Sequence, residues 1–139
     1  MPDIVFLDAG AILAIWDDVR QVHGVGLPCI SEERLEGALG RVVSNYLYAD
    51  PEPTVPQLAG CLGYSLAKSH PFGDGNKRTA LIAMEIFLLD NGWVNHAGDI
   101  RTAKMVEWAI RNSISEESFI RLLERHCVFY GDEVGELDV

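Results

Sequence analysis

The sequence predicts a mostly α fold, a single helical domain, on three observations. Apolar residues recur at three- and four-residue spacing along most of the chain, the runs open on residues able to cap a helix, and strand-like runs are scarce. One run, Thr79 to Leu89, is apolar almost all round, the pattern of a helix buried at the centre of a bundle.

Ile4 to Leu7 is expected as a short strand. Asp8 then caps a first helix to about Val22, with Ile12, Leu13, Trp16, Val19 and Val22 near one face. Gly24 to Pro28 breaks the chain with two glycines and a proline. Ser31 caps a second helix, Glu32 and Glu33 favour its first turn, and Leu35, Ala38, Leu39 and Val42 form its apolar stripe. Pro51 and Pro53 punctuate the next connection, and Thr54 caps a third helix with Pro56 in its first turn. Leu58, Cys61, Leu62, Ser65 and Leu66 give that helix its seam, and it must end near Ser69 because His70 precedes a proline. The fourth, central helix runs from about Asn76 to the stop signal Asn91-Gly92. Two more helices are expected over Arg101 to Arg111 and Ser115 to Tyr130. The acidic tail, Asp132 to Val139, is expected to fray, which leaves a core of about residues 6–130.

The bulk numbers exclude several classes of function. At 139 residues, 48% hydrophobic and 23% charged, the chain is an ordinary globular domain of 1–139. A net charge of −10 repels a phosphate backbone, so no nucleic-acid partner is expected. Cys29, Cys61 and Cys127 are odd in number and lack C-x-x-C spacing, which reads as free thiols in a cytoplasmic protein. The N-terminus has no basic region, and acids interrupt its apolar run, so no signal peptide is expected. The nearly apolar run from Ala80 to Leu89 contains Glu85 and is too short to span a bilayer. A soluble protein with no membrane partner follows.

One stretch concentrates chemistry: His70-Pro71-Phe72-Gly73-Asp74-Gly75-Asn76-Lys77-Arg78-Thr79. It lies in the loop that enters the central helix. The first N–H groups of a helix lack intrahelical partners and carry the positive end of its dipole, so they receive anions. Gly73 and Gly75 permit the positive φ and close approach that a phosphate nest requires. Lys77 and Arg78 are poorly placed for the helix dipole alone, which points to a bound anion. Asp74 is a single carboxylate beside that anion, the usual way to hold Mg²⁺ together with phosphate oxygens and water. His70 lies one loop earlier, where an imidazole can take a proton from an attacking hydroxyl. Phosphoryl or nucleotidyl transfer needs these parts and little more.

The motif resembles that of the Fic/Doc superfamily, His-x-Phe-x-Asp/Glu-Gly-Asn followed by Gly or Lys and then Arg. It matches at His70, Phe72, Asp74, Gly75, Asn76 and Arg78, and residues 70–80 follow the HPFxDGNKRTA pattern of the death-on-curing (Doc) branch throughout. Gly26-Leu27-Pro28, Leu35 to Arg41 and Phe87 to Gly92 look similar to that branch as well, so the likeness covers about Phe6 to Tyr130. It implies a Fic/Doc-like helical bundle in which His70 is the general base and Asp74 holds Mg²⁺. Gly75 shapes the nest, Asn76 and Lys77 line the anion hole, and Arg78 contacts a nucleotide phosphate. AMP-transferring Fic enzymes carry glycine where Lys77 stands and a second arginine where Leu81 stands. Lysine at that position goes, in the Doc branch, with transfer of the γ-phosphate of ATP. The resemblance therefore implies a toxin of a toxin–antitoxin pair, phosphorylating a hydroxyl of a target protein. Translation elongation factor Tu is the expected target, and a separate antitoxin chain is the expected restraint. The alternatives are AMP transfer by the same residues and a non-catalytic module that docks an anionic partner.

Other motifs fail on inspection. Asp74, Asn76 and Glu85 fall at positions 1, 3 and 12 of a calcium loop, but Arg78 and Thr79 replace the third acidic ligand and the required glycine. No G-x-x-x-x-G-K-[ST] occurs. The inhibitory [ST]-x-x-x-E-[GN] helix of some Fic proteins is missed by one residue, between Ser31 and Glu36. His23, His96 and His126 lack metal-ligand spacing, the three tryptophans read as packing anchors, and Lys68, two residues before His70, is a candidate to face the site.

Overall fold

The computed structural model describes residues 3–24 and 30–131. Its elements in chain order are α1 (Ala9–His23), α2 (Glu32–Tyr48), α3 (Val55–Ser69), α4 (Asn76–Asp90), β1 (Trp93–Asn95), α5 (Asp99–Ile110), α6 (Glu116–Glu124) and β2 (Cys127–Phe129). The architecture is mostly helical, as expected. No helix among the described residues is long and apolar enough to cross a membrane.

The caps form where the side chains allow them. Asp8 Oδ1 accepts from the Ala11 N–H at 2.8 Å, and Ser31 Oγ from that of Arg34 at 3.3 Å. Thr54 and Gln57 make a reciprocal box, with the Gln57 N–H on Thr54 Oγ1 at 3.2 Å and the Thr54 N–H on Gln57 Oε1 at 2.9 Å. Ser115 Oγ accepts from the Ser118 N–H at 3.1 Å.

Helix α4 is the centre. Ala80, Ala83, Met84, Phe87 and Leu88 are fully buried, and α3, α1, α5 and β1 all pack on it. Two glycines of α3 set the helix spacing. A Cβ at Gly63 would overlap the Met84 side chain, and one at Gly60 would lie 2.7 Å from Ile120 Cγ1 and 3.2 Å from its Cα. The absent side chains let α4 and α6 close on α3.

Four expectations need correction. Ile4 to Leu7 forms no strand; the Asn91 side chain takes up the Val5 backbone instead, accepting from its N–H at 2.8 Å and donating to its carbonyl at 2.9 Å. Val22 is 76% exposed, because the last turn of α1 runs past the core. α5 starts at Asp99, after Gly98 at φ 87°, and not at Arg101. The last helix stops at Glu124, and Cys127–Phe129 pairs antiparallel with Trp93–Asn95 in the register Trp93↔Phe129, Val94↔Val128, Asn95↔Cys127. The break after α1 begins at Gly24, a left-handed cap at φ 60°. Val25 to Cys29 and the acidic tail lie outside the described residues.

Candidate active site

The loop from His70 to Gly75 joins α3 to α4 and is held from three sides. Phe72 is buried and stacks on Trp16 of α1, with ring centroids 4.9 Å apart and planes 6° from parallel. Trp16 Nε1–H also donates to the Asp74 carbonyl at 2.9 Å. Ahead of α2, Ile30 bridges Phe72 and the Ser31 N–H donates to the Pro71 carbonyl at 2.7 Å. The third hold is Asn76 itself. Its Oδ1 accepts from the Phe72 N–H at 3.0 Å and its Nδ2 donates to the Phe72 carbonyl at 2.7 Å, within a side chain only 4% exposed.

Asn76 therefore points inward and fastens the loop. What it can offer an anion is its backbone N–H at the first turn of α4. That turn has no side-chain cap. Gly75 precedes it in the left-handed region at φ 83°, φ 83° being a value that disfavours side chains, and a Cβ there would press Val19 and the Trp16 ring at 3.4–3.5 Å. Gly73 does not adopt positive φ, so of the two glycines only Gly75 shapes the turn by that means.

His70 caps α3 at φ 54° and ψ 57°, with its N–H on the Leu66 carbonyl at 3.2 Å. A left-handed conformation costs a non-glycine residue about 1–2 kcal/mol. The side chain is exposed at the lip of a cleft of about 340 Å³. Asp74, Gly75, Asn76, Lys77 and Arg78 line the same cleft, with Val19 and Ile110 as apolar walls. The structure thus brings all six expected site residues together.

The electrostatics of the cleft are those of an anion site with one carboxylate. Asp74 Oδ1 accepts from the Gly75 N–H at 2.8 Å, which turns the carboxylate toward the start of α4. Lys77 Nζ lies 3.9 Å from Glu107 of α5, whose other oxygen pairs more closely with Arg111 at 2.8 Å. Arg78 is exposed and makes no ion pair among the described residues. No three His, Cys, Asp or Glu side chains gather among the described residues as a metal site. The Asp74 carboxylate beside the first amides of α4 and two cations fits Mg²⁺ arriving with a polyphosphate, because such an ion keeps waters and takes phosphate oxygens as ligands.

A second cleft, of about 510 Å³, shares Lys77 and Arg78 and continues along α4 and α5 past Leu81 and Ile82 to Glu85. Burial pushes the Glu85 carboxyl pKa up, against the hydrogen bond it accepts from Asn95 at 2.9 Å. Lys68 does not reach the His70 cleft; it lines a different cavity, between α2 and α3. The role of Trp16 was missed: packing was legible in its apolar stripe, but nothing local announces a hydrogen bond across 58 residues.

A helical domain that seats an acid, a base and two cations at the uncapped start of its central helix has the form of a group-transfer protein. The sequence profile of the Fic/DOC family matches residues 6–88, more than half of the chain and the whole of the His70–Thr79 motif. The chain belongs to the Fic/DOC family. Members of that family are typically transferases acting on proteins, so a protein-modifying function of Fic type follows. No curated protein sequence matches the chain.

Proposed function

We propose that this protein is a Doc-like toxin that transfers the γ-phosphate of ATP to a hydroxyl of a target protein, with translation elongation factor Tu as the target and a separate antitoxin chain as its restraint. The observation that carries the reading is the convergence of His70, Asp74, Gly75, Asn76, Lys77 and Arg78 on one cleft at the uncapped start of α4. His70 takes the proton of the acceptor hydroxyl as its oxygen bonds to the γ-phosphorus; the bond to the β–γ bridging oxygen breaks and ADP leaves. The amides of α4, Lys77 and Arg78 hold the triphosphate and face the charge that builds on the transferring group. Mg²⁺ held by Asp74 would neutralise part of the triphosphate charge.

Lys77 and Leu81 favour phosphate over AMP. Lysine adds bulk and charge where a bare-backbone nest would seat a phosphate, and Leu81 supplies no second cation to the adjoining cleft. The test is incubation of the protein with elongation factor Tu and ATP labelled at either the γ- or the α-phosphate. Label is expected on the acceptor from γ alone. Label from α assigns AMP transfer, and label from neither, with ATP still bound, assigns a docking module.

A further inference from the structure

A cavity of about 790 Å³, against about 340 Å³ for the His70 cleft, forms a trough between α2 and α3. It begins at Ser31 and Ser69, next to the motif: Ser69 precedes His70 in the chain, and the Ser31 N–H is bonded to the Pro71 carbonyl at 2.7 Å. From Ser31 to Arg41 it follows α2 for about 15 Å at ~1.5 Å per residue. That length matches about four or five residues of extended peptide at ~3.3 Å each.

Two features of the trough lack a reason within the chain. Arg34 of α2 and Lys68 of α3 both line it, and neither has an ion-pair partner among the described residues of an acidic protein. Arg41, the third cation, is engaged, with Glu116 at 2.9 and 3.0 Å and Ser65 Oγ at 2.7 Å, so it neutralises Glu116 within the wall. Glu33 is the remaining acid, which leaves the lining with a net positive charge. The second feature is Gly37. It sits inside a helix, where glycine costs about 1 kcal/mol relative to alanine, and a Cβ there would meet nothing within 4 Å. Packing within the chain does not require that glycine. It gives the trough a stretch of wall without a side chain.

We propose that this trough holds an extended, acidic segment of the acceptor polypeptide and so presents a hydroxyl to His70. The proposal deepens the reading of the protein as a protein-modifying transferase and rests on it. Arg34 and Lys68 face the acidic side chains, the bare backbone at Gly37 admits the peptide main chain, and Ser69, in the trough lining, is the residue before His70.

The experiment is fluorescence anisotropy with a labelled hexaglutamate peptide at low salt, with hexalysine as the opposite-charge control. Wild type is expected to bind hexaglutamate and not hexalysine. Arg34→Ala with Lys68→Ala should weaken binding about tenfold or more, since two charge-assisted contacts are lost. Gly37→Leu should block the trough, while Gly40→Leu on the same helix, open in the same way but outside the trough, should not. All variants should bind MgATP as wild type does. Equal hexaglutamate affinity in wild type, Arg34→Ala/Lys68→Ala and Gly37→Leu overturns the proposal, as does absence of binding in wild type. Complete displacement by inorganic phosphate at equal ionic strength overturns it too, in favour of a free-anion site. Failure of the enzymatic reading shows separately, as peptide binding without MgATP binding.

Discussion

Asn76→Ala should unfasten the motif loop, and the size of the effect can be worked from two hydrogen bonds. The Asn76 amide satisfies both backbone groups of Phe72, at 3.0 and 2.7 Å, in an interior that water does not reach. Leaving a buried backbone group without a partner costs about 1–3 kcal/mol. Two are orphaned at once, so a loss of about 2–4 kcal/mol is expected if a water entering the small cavity rescues part of it. For a domain of this length that lowers the melting temperature by about 6–15 °C. Asn76→Asp should fall between, because its carboxylate still accepts from the Phe72 N–H but faces the Phe72 carbonyl with like charge. Thermal melts and urea titrations of the three proteins measure this directly, and MgATP affinity should fall alongside. An Asn76→Ala protein that melts with wild type would refute the assignment of Asn76 as the fastener of the loop.

His70→Ala should cut transfer by about 10²–10⁴-fold while melting and MgATP affinity hold, and retained transfer in that variant removes the imidazole from the role of base. Asp74→Asn should weaken nucleotide binding in Mg²⁺ and leave the weaker binding in EDTA nearly unchanged; identical titrations of both proteins in both buffers would give Asp74 another job. Burial raises the folded-state pKa of Glu85 above its unfolded value, so the folded state holds that proton more tightly. Its contribution is fully present below the unfolded carboxylate pKa and is lost as pH rises through the folded one. Glu85→Gln lacks that loss and can still accept from Asn95, so its melting temperature relative to wild type should climb as pH rises from the unfolded carboxylate pKa through the raised folded one. A difference that stays flat or shrinks over that range contradicts the burial argument.

The helices were legible because their signals are local. Ser31, Thr54 with Gln57, and Ser115 cap within four residues of where they stand, and the all-round apolar run of α4 marks a centre wherever the rest of the chain goes. The candidate site was legible for the same reason, since ten consecutive residues carry it. What escaped depends on distant pairing. Trp93–Asn95 and Cys127–Phe129 are three residues each, too short for a period to declare itself, and they become strands only through each other. Val5 is shaped by Asn91, and the motif loop by Trp16. The inward turn of Asn76 was hidden by its chemistry, since an amide beside a phosphate nest reads equally as ligand or as clamp.

The measurement that bears most directly on the central claim is a side-by-side transfer assay of wild type and Lys77→Gly, with γ- and α-labelled ATP and elongation factor Tu as acceptor. In-line displacement moves whichever phosphorus lies opposite the nucleophile, so the seat of the triphosphate decides the product. Wild type should place γ-label on the acceptor and no α-label. Lys77→Gly should lose phosphate transfer, and any AMP transfer it gains should be weak, because Leu81 stands where a second arginine would be needed. Wild-type transfer of α-label, or undiminished γ-transfer by Lys77→Gly, would contradict the account.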